Sequence, residues 1–149
     1  MNADDYFAIQ NLIYRYCECI DRADFKGIAQ LFAHAALHVP ALPQPVRGVE
    51  AIEAMYSQFT RVYPETGTPR TRHVTSNVII EPDGADAARS SSYVLVHQAT
   101  PALTLQPIIG GGYRDRFARV DGRWRFTERR MEMDLFGNLS AHLLQAYGG

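Results

Sequence analysis

The chain has 149 residues, 46 % of them hydrophobic, and a formal net charge of −1 at neutral pH. That size and apolar fraction suit one domain over residues 1–149, and no repeat or low-complexity segment divides it. The charge balance offers no basic face to nucleic acid or a membrane surface, and no apolar stretch nears the ~18 residues of a membrane span; the acidic start Met1-Asn2-Ala3-Asp4-Asp5 reads as cytoplasmic rather than as a secretory leader.

In chain order, Ile9, Ile13, Tyr16 and Ile20 form the apolar stripe of an amphipathic helix over about residues 4–21. Asp24 is a good N-cap for a short second helix carrying Ile28, Leu31 and Phe32. A brief strand near Leu37 to Val39 runs into Pro40, Pro43 and Pro45, which predict a loop over 40–47. Gly48 opens a third helix with Ile52, Met55, Tyr56 and Phe59 on one face. The second half reads as an antiparallel meander with strands at 72–81, 87–98, 107–120 and 123–133, turning at Pro82-Asp83-Gly84 and Asp121-Gly122. Gly110-Gly111-Gly112 predicts a bulge or bend of the kind a sheet needs to wrap around a helix. The plan is α+β: a cone-shaped α+β barrel, with the N-terminal helices packed in a curved, mainly antiparallel sheet and a pocket at its mouth. Residues 1–134 make the core, and 135–149 make a tail with Leu139, Leu143, Leu144 and Tyr147. That tail is expected to form a short helix that closes the pocket or reaches a neighbouring subunit.

Two segments carry chemistry. The first helix ends on a carboxylate, Asp21, and the first long strand opens on a histidine, His73. An Asp that orients and charges a His is the smallest device for moving a proton near neutral pH. Period-two parity groups His73, Thr75, Asn77 and Ile79, then Tyr93, Leu95 and His97, then Tyr113, Asp115 and Phe117, then Trp124, Phe126 and Glu128. Aromatics with a few polar groups suit an apolar ligand site, so Tyr93, Tyr113, Phe117 and Asn77 are candidate substrate contacts. Val78, Ile80, Val94 and Val96, of opposite parity, are expected on a convex face covered in a homodimer or homotrimer. Cys17 and Cys19 point to different faces of a helix, and no Cys/His cluster has zinc-ligand spacing, so no metal is expected. His34, His38 and His142 read as surface, loop or tail residues, with His38 a candidate for the pocket rim.

The phrase Ala8-Ile9-Gln10-Asn11-Leu12-Ile13-Tyr14-Arg15-Tyr16, followed by Asp21, Asp24 and Leu31-Phe32-Ala33, resembles SnoaL-like proteins of the nuclear transport factor 2-like superfamily. So does the run from Gly110 to Phe126, and the likeness extends from about Asp5 to Met133. Within that superfamily the chain is most similar to three cofactor-free lyases: scytalone dehydratase, bile-acid dehydratase and hexachlorocyclohexane dehydrochlorinase. The resemblance implies a catalytic pair at Asp21 and His73, a functional Tyr at Tyr16, a second strand His at His97, a functional last-strand Arg at Arg129, and no cofactor. Three positions depart from scytalone dehydratase: Gly111 and Tyr113 stand where it has Ser and Asn, and Ile20 stands where it has Tyr. These argue against its substrate.

Two geometric conditions follow. Five residues on an ideal helix turn through about 500°, leaving Tyr16 and Asp21 roughly 140° apart, so the helix must end or kink before Asp21 for both to serve one pocket. Arg129 has the opposite parity to Trp124 and Phe126 and reaches the inside only past a bulge. Each candidate also has a structural alternative: Asp21 as a helix-end cap, His73 as a bonded core histidine, Tyr16 as a core aromatic, His97 as a rim residue and Arg129 as a surface charge. The expected activity is a dehydratase-type elimination on a small apolar cyclic substrate. An isomerase, a polyketide-type cyclase, or a non-catalytic binding or accessory subunit stand beside it.

Overall fold

In the computed structural model, which describes residues 1–145, helix α1 (Ala3–Asp21) starts at a capping box. The Asn2 side chain accepts the Asp5 N–H at 2.9 Å, and the Asp5 carboxylate accepts the Asn2 N–H at 3.0 Å. Asp5 also accepts from the Trp124 indole and the Arg119 guanidinium, each at 2.8 Å, which pins the start of the helix to the sheet. Ile9, Ile13, Tyr16 and Ile20 are buried, as the stripe predicts. Helix α2 (Phe25–Leu31) follows, its N-cap Asp24 accepting the Gly27 N–H at 2.8 Å. Strand β1 (Ala36–His38) and helix α3 (Val49–Phe59) complete the first half.

Four long strands follow: β2 (Thr71–Pro82), β3 (Ala87–Thr100), β4 (Leu103–Val120) and β5 (Arg123–Phe136). The sheet order is β1-β5-β4-β3-β2, antiparallel except that β1 runs parallel to β5. The sheet is therefore mixed, and it stays open, because its edge strands β1 and β2 do not pair with each other. Its concave face holds α1. Phe32, Phe117 and Phe126 pack together at centroid spacings of 4.8 Å and fill the interior with Ile9, Ile13 and Ile28.

Register breaks decide which side chains point inward. In β2, Asn77 and Val78 together face one residue of β3, with Asn77 at φ 53°, so parity inverts beyond Ser76. Asn77 and Ile79 are exposed, while Val78 and Ile80 turn toward the core. In β5, Thr127 is the extra residue between Phe126 and Glu128. Past it, Arg129, Met131 and Met133 point inward and Glu128 does not. A further shift at Gly110/Gly111 lies in the triple-glycine stretch, where a Cβ on Gly111 would sit 2.2 Å from the Glu132 carbonyl.

The face assigned to β3 is the reverse of the expectation. Val94 and Val96 are buried inside, while Tyr93 is 62 % exposed on the outside, with Leu95 and His97 sharing its side. Period-two spacing groups residues by face without naming the inner one, and here the small β-branched set is inner, leaving room beside α1. The described part of the tail forms no helix. It crosses the mouth of the cone in turns and is held by hydrogen bonds from Arg61 N–H to the His142 carbonyl (2.8 Å), Leu144 N–H to the Phe59 carbonyl (2.9 Å) and Tyr63 Oη to the Ala141 carbonyl (2.6 Å). Tyr147 lies outside the described residues.

Candidate active site

Helix α1 ends on Asp21. The Ala23 N–H bonds the Ile20 carbonyl and the Asp24 N–H bonds the Cys19 carbonyl at 2.8 Å, a Schellman closure with Ala23 in the left-handed region at φ 58°. Asp21 is thus the last helical residue, and its carboxylate meets the start of β2. Oδ1 lies 2.6 Å from His73 Nδ1 and accepts the Thr71 hydroxyl at 2.8 Å; Oδ2 accepts the His73 backbone N–H at 2.9 Å. Burial alone would raise the Asp21 pKa, but the bonds and charge from His73, with the Thr71 hydroxyl, hold it below its usual value. The carboxylate accepts the Nδ1 proton and fixes the tautomer in which Nε2 carries the lone pair. The hydrogen-bond pattern assigns that tautomer.

His73 lines a cavity of ≈ 120 Å³ between α1, α3, the sheet and the tail. Tyr16 and Ile20 come from α1, Met55, Tyr56 and Phe59 from α3, and Val96, Ile109, Tyr113, Met131 and Met133 from the sheet. Leu139, His142 and Leu143 close it from the tail. No Lys, Arg, Asp or Glu is among these lining residues. The Tyr16 ring stands edge-on to His73 with centroids 6.3 Å apart, so the helix end lets Tyr16 and Asp21 flank one imidazole. The Tyr56 hydroxyl donates to Tyr16 Oη at 3.1 Å. Burial pushes the phenols of Tyr16, Tyr56 and Tyr113 up, which keeps them neutral hydrogen-bond donors.

Behind the tyrosines lies Arg129, 0 % exposed, its Nε and Nη2 each 2.8 Å from the Asp115 carboxylate. Its guanidinium carbon is 4.0 Å from the Tyr113 ring centroid and 4.6 Å from that of Tyr16. Burial works against the cation, but the Asp115 charge and bonds more than offset it, so Arg129 stays protonated. Arg129 is therefore neither a surface charge nor a direct substrate contact, but a buried cation supporting the tyrosine wall.

The structure brings Asp21, His73, Tyr16 and Tyr113 together. It does not bring the other candidates. His97 lies with Asp21, Arg70, Arg72 and Leu105 along an outer groove rather than in the His73 cavity, Tyr93 and Asn77 face outward, and Phe117 packs deep in the core away from the cavity. For His97 and Tyr93 the reason is the inverted face of β3, and for Asn77 it is the bulge at that residue. His38 does not line the cavity; Val39 and Ala41 form the wall beyond β1. Sequence reasoning missed the roles of Tyr56 and His142. Tyr56 was visible on the apolar face of α3, and His142 sits among the tail leucines that announce burial. Cys17 lies 3.2 Å from the Thr75 hydroxyl with its thiol pushed up by burial, which does not suit a nucleophile. Among the described residues no His/Cys/Asp/Glu group has the geometry to hold a metal, and no helix is long and apolar enough to cross a membrane.

A helix held in an open curved sheet, with a carboxylate–imidazole pair at the wide end, defines an α+β protein of the nuclear transport factor 2-like, cystatin-like type. The profile described as a SnoaL-like domain matches residues 1–130, and the chain belongs to that family. Among solved structures, it is similar to a protein of unknown function from Mycobacterium tuberculosis, at 29 % identity and TM-score 0.73, over 89 % of this chain and 78 % of that one. An NTF2-like protein with a cystatin-like fold from Novosphingobium aromaticivorans superimposes with TM-score 0.74 at 21 % identity, over 93 % and 86 %. A protein from the same organism, provisionally described as a scytalone dehydratase, superimposes with TM-score 0.67 at 24 % identity, over 87 % and 84 %. No curated protein matches the chain.

Proposed function

We propose that this chain is a cofactor-independent lyase that eliminates water, dehydratase-fashion, from a small, neutral, apolar cyclic substrate. The observation that carries the reading is the 2.6 Å contact between Asp21 Oδ1 and His73 Nδ1 on an imidazole that lines an apolar cavity. In the reaction, His73 Nε2 takes a proton from a carbon beside a carbonyl or aromatic ring. The C–H electron pair becomes the new C=C bond as the C–O bond to the leaving hydroxyl breaks. Asp21 stabilises the imidazolium that forms. The proton needed by the departing hydroxide comes from that imidazolium or from Tyr16, whose hydroxyl is already polarised by Tyr56. Absence of a charged lining favours a neutral substrate, since a carboxylate or ammonium would enter unpaired.

The Tyr16–Tyr56 hydroxyl pair favours one second reading, because the same donors would hold an enolate while the proton returns to another carbon, as in an isomerase or cyclase. A panel of cyclic β-hydroxy ketones and β,γ-unsaturated ketones, followed by NMR in D₂O, separates the two. Loss of water supports the lyase; deuterium uptake with a shifted double bond supports the isomerase. Binding without any His73-dependent exchange, judged against His73→Gln, would leave a non-catalytic ligand-binding protein. As partner we propose a second copy of the chain, seated on the outer face of the sheet.

A further inference from the structure

The tail brings a second imidazole to the cavity. His142 is 8 % exposed, lines the cavity, and stands with its ring centroid 6.4 Å from that of His73. Its backbone is clamped by the Arg61 N–H and by its own N–H bonding the Leu139 carbonyl at 3.0 Å. Nδ1 is sealed, without a hydrogen-bond partner among the described residues. Nε2 is left as the nitrogen that can meet a ligand. A buried imidazole usually has both nitrogens satisfied, and each one left without a partner costs free energy. Here the unpartnered nitrogen is the sealed Nδ1, and a guest in the cavity can answer only Nε2.

We propose that His142 is a substrate-contacting residue, whose Nε2 hydrogen-bonds a hydroxyl on the ring of the bound substrate. The inference rests on the ligand-binding reading of the cavity given above and names its substrate class: a single ring of about benzene size bearing a hydroxyl. Size comes from the cavity, since ≈ 120 Å³ is close to the volume of an apolar cavity that takes up benzene. The hydroxyl follows from the chemistry of the imidazole. In one neutral tautomer Nε2 donates and in the other it accepts, and a hydroxyl answers both, whereas a carbonyl answers only the first. The imidazole also stays neutral: burial, with the charge of His73, lowers its pKa from 6.5 to about 4, against an opposing pull from Asp21. A neutral contact suits a neutral ligand. His73 and His142 stand beside each other, ring centroids 6.4 Å apart, so the hydroxyl is held next to the group that takes the proton.

The test compares phenol with benzene, which differ by the hydroxyl alone, by titrating each into the ¹⁵N-labelled full chain. For the wild type, phenol is expected to bind about fivefold tighter than benzene, the worth of one hydrogen bond. The ¹⁵N signal of His142 Nε2 should move with phenol and not with benzene, a readout that needs no variant. In His142→Leu the phenol preference should vanish while benzene binding persists. In His142→Gln, whose amide reaches the position of Nε2, the preference should return. If His142→Leu keeps the full preference, or the His142 signal ignores phenol, the proposal is overturned and the cavity reading stands. If neither compound binds the wild type, the cavity reading fails and takes the proposal with it.

Discussion

At the scale of single residues, Asp21 accepts three hydrogen bonds on two oxygens and so does two jobs. It closes the junction between α1 and β2, and it orients His73. Asp21→Asn keeps the shape but puts a neutral amide beside the imidazole, where it neither stabilises the imidazolium nor fixes the tautomer. We expect turnover to fall by about 10²–10⁴-fold, measured as single-turnover elimination, with substrate binding little changed. Its pKa sets a second expectation. Because the folded carboxyl is held below its usual carboxylate value, its contribution to stability is complete above that value and is lost as the pH falls through the lower folded one. Arg129 and Asp115 make the other residue-scale case. Asp115→Asn or Arg129→Met alone strands the remaining partner in the core, and should cost roughly 3–5 kcal/mol in urea unfolding. Equal losses from the two single variants, with recovery in an Asp115→Leu/Arg129→Met double variant, would fit a pair retained for its effect on Tyr16 and Tyr113 rather than for stability. A loss under about 1 kcal/mol in either single variant would contradict the buried-pair assignment.

At the scale of elements, the end of α1 is where geometry is set and where the sequence is least comfortable. Ala23 occupies the left-handed position of the Schellman turn, usually glycine, and its Cβ makes that conformation costly. Ala23→Gly should stabilise the chain by about 1 kcal/mol in chemical denaturation, after the entropy that glycine adds to the unfolded chain; a destabilised variant would mean that Ala23 is not in that conformation. The tail is the second such element. Above about pH 6.5 docked and released tails both carry neutral His142, and below about pH 4 both are protonated. Between those values the released tail binds a proton that the docked tail refuses, so docking is strongest above 6.5 and weakens as the pH falls toward 4. The span corresponds to roughly 3 kcal/mol. The groups facing His142 are His73 and Asp21, and they pull in opposite directions. The protection factor for amide exchange at Arg61 and Leu144, whose N–H groups bond across the tail contact, corrected for the intrinsic rate at each pH, should therefore fall on acidification from pH 6.5. In His142→Leu it should stay flat.

At the scale of the whole molecule, the order of helices and strands was legible because each rests on local signals: a 3.6-residue stripe, a capping Asp, paired turns. The Asp21–His73 contact was legible too, through resemblance and because helix end and strand start are both marked in the sequence. What escaped depended on register and on which face is inner. One bulge at Asn77 and the undetermined inner face of β3 moved Asn77, Tyr93 and His97 out of the site, while one bulge at Thr127 turned Arg129 in. His142 escaped because the tail's path is fixed by contacts with Phe59, Arg61 and Tyr63, far from it in sequence. The same inversion changes what the outer face offers a second copy of the chain. The expected residues Val78, Ile80, Val94 and Val96 point inward, and in their place Val74, Leu95, Gly110 and Leu135 stand in register across four strands. Val74, Leu95 and Leu135 are 46 %, 44 % and 63 % exposed, with Tyr93 beside them. The second copy proposed above would cover this contiguous apolar face about a two-fold axis, each copy shielding the other's leucines. Sedimentation velocity should then give a dimer for the wild type and a monomer for Leu95→Glu, which puts two like charges in contact across the axis. Catalysis should survive in the monomer, since Asp21, His73, Tyr16 and Tyr113 already meet within one chain. A wild type that sediments as a monomer at micromolar concentration would leave that face without the partner assigned to it.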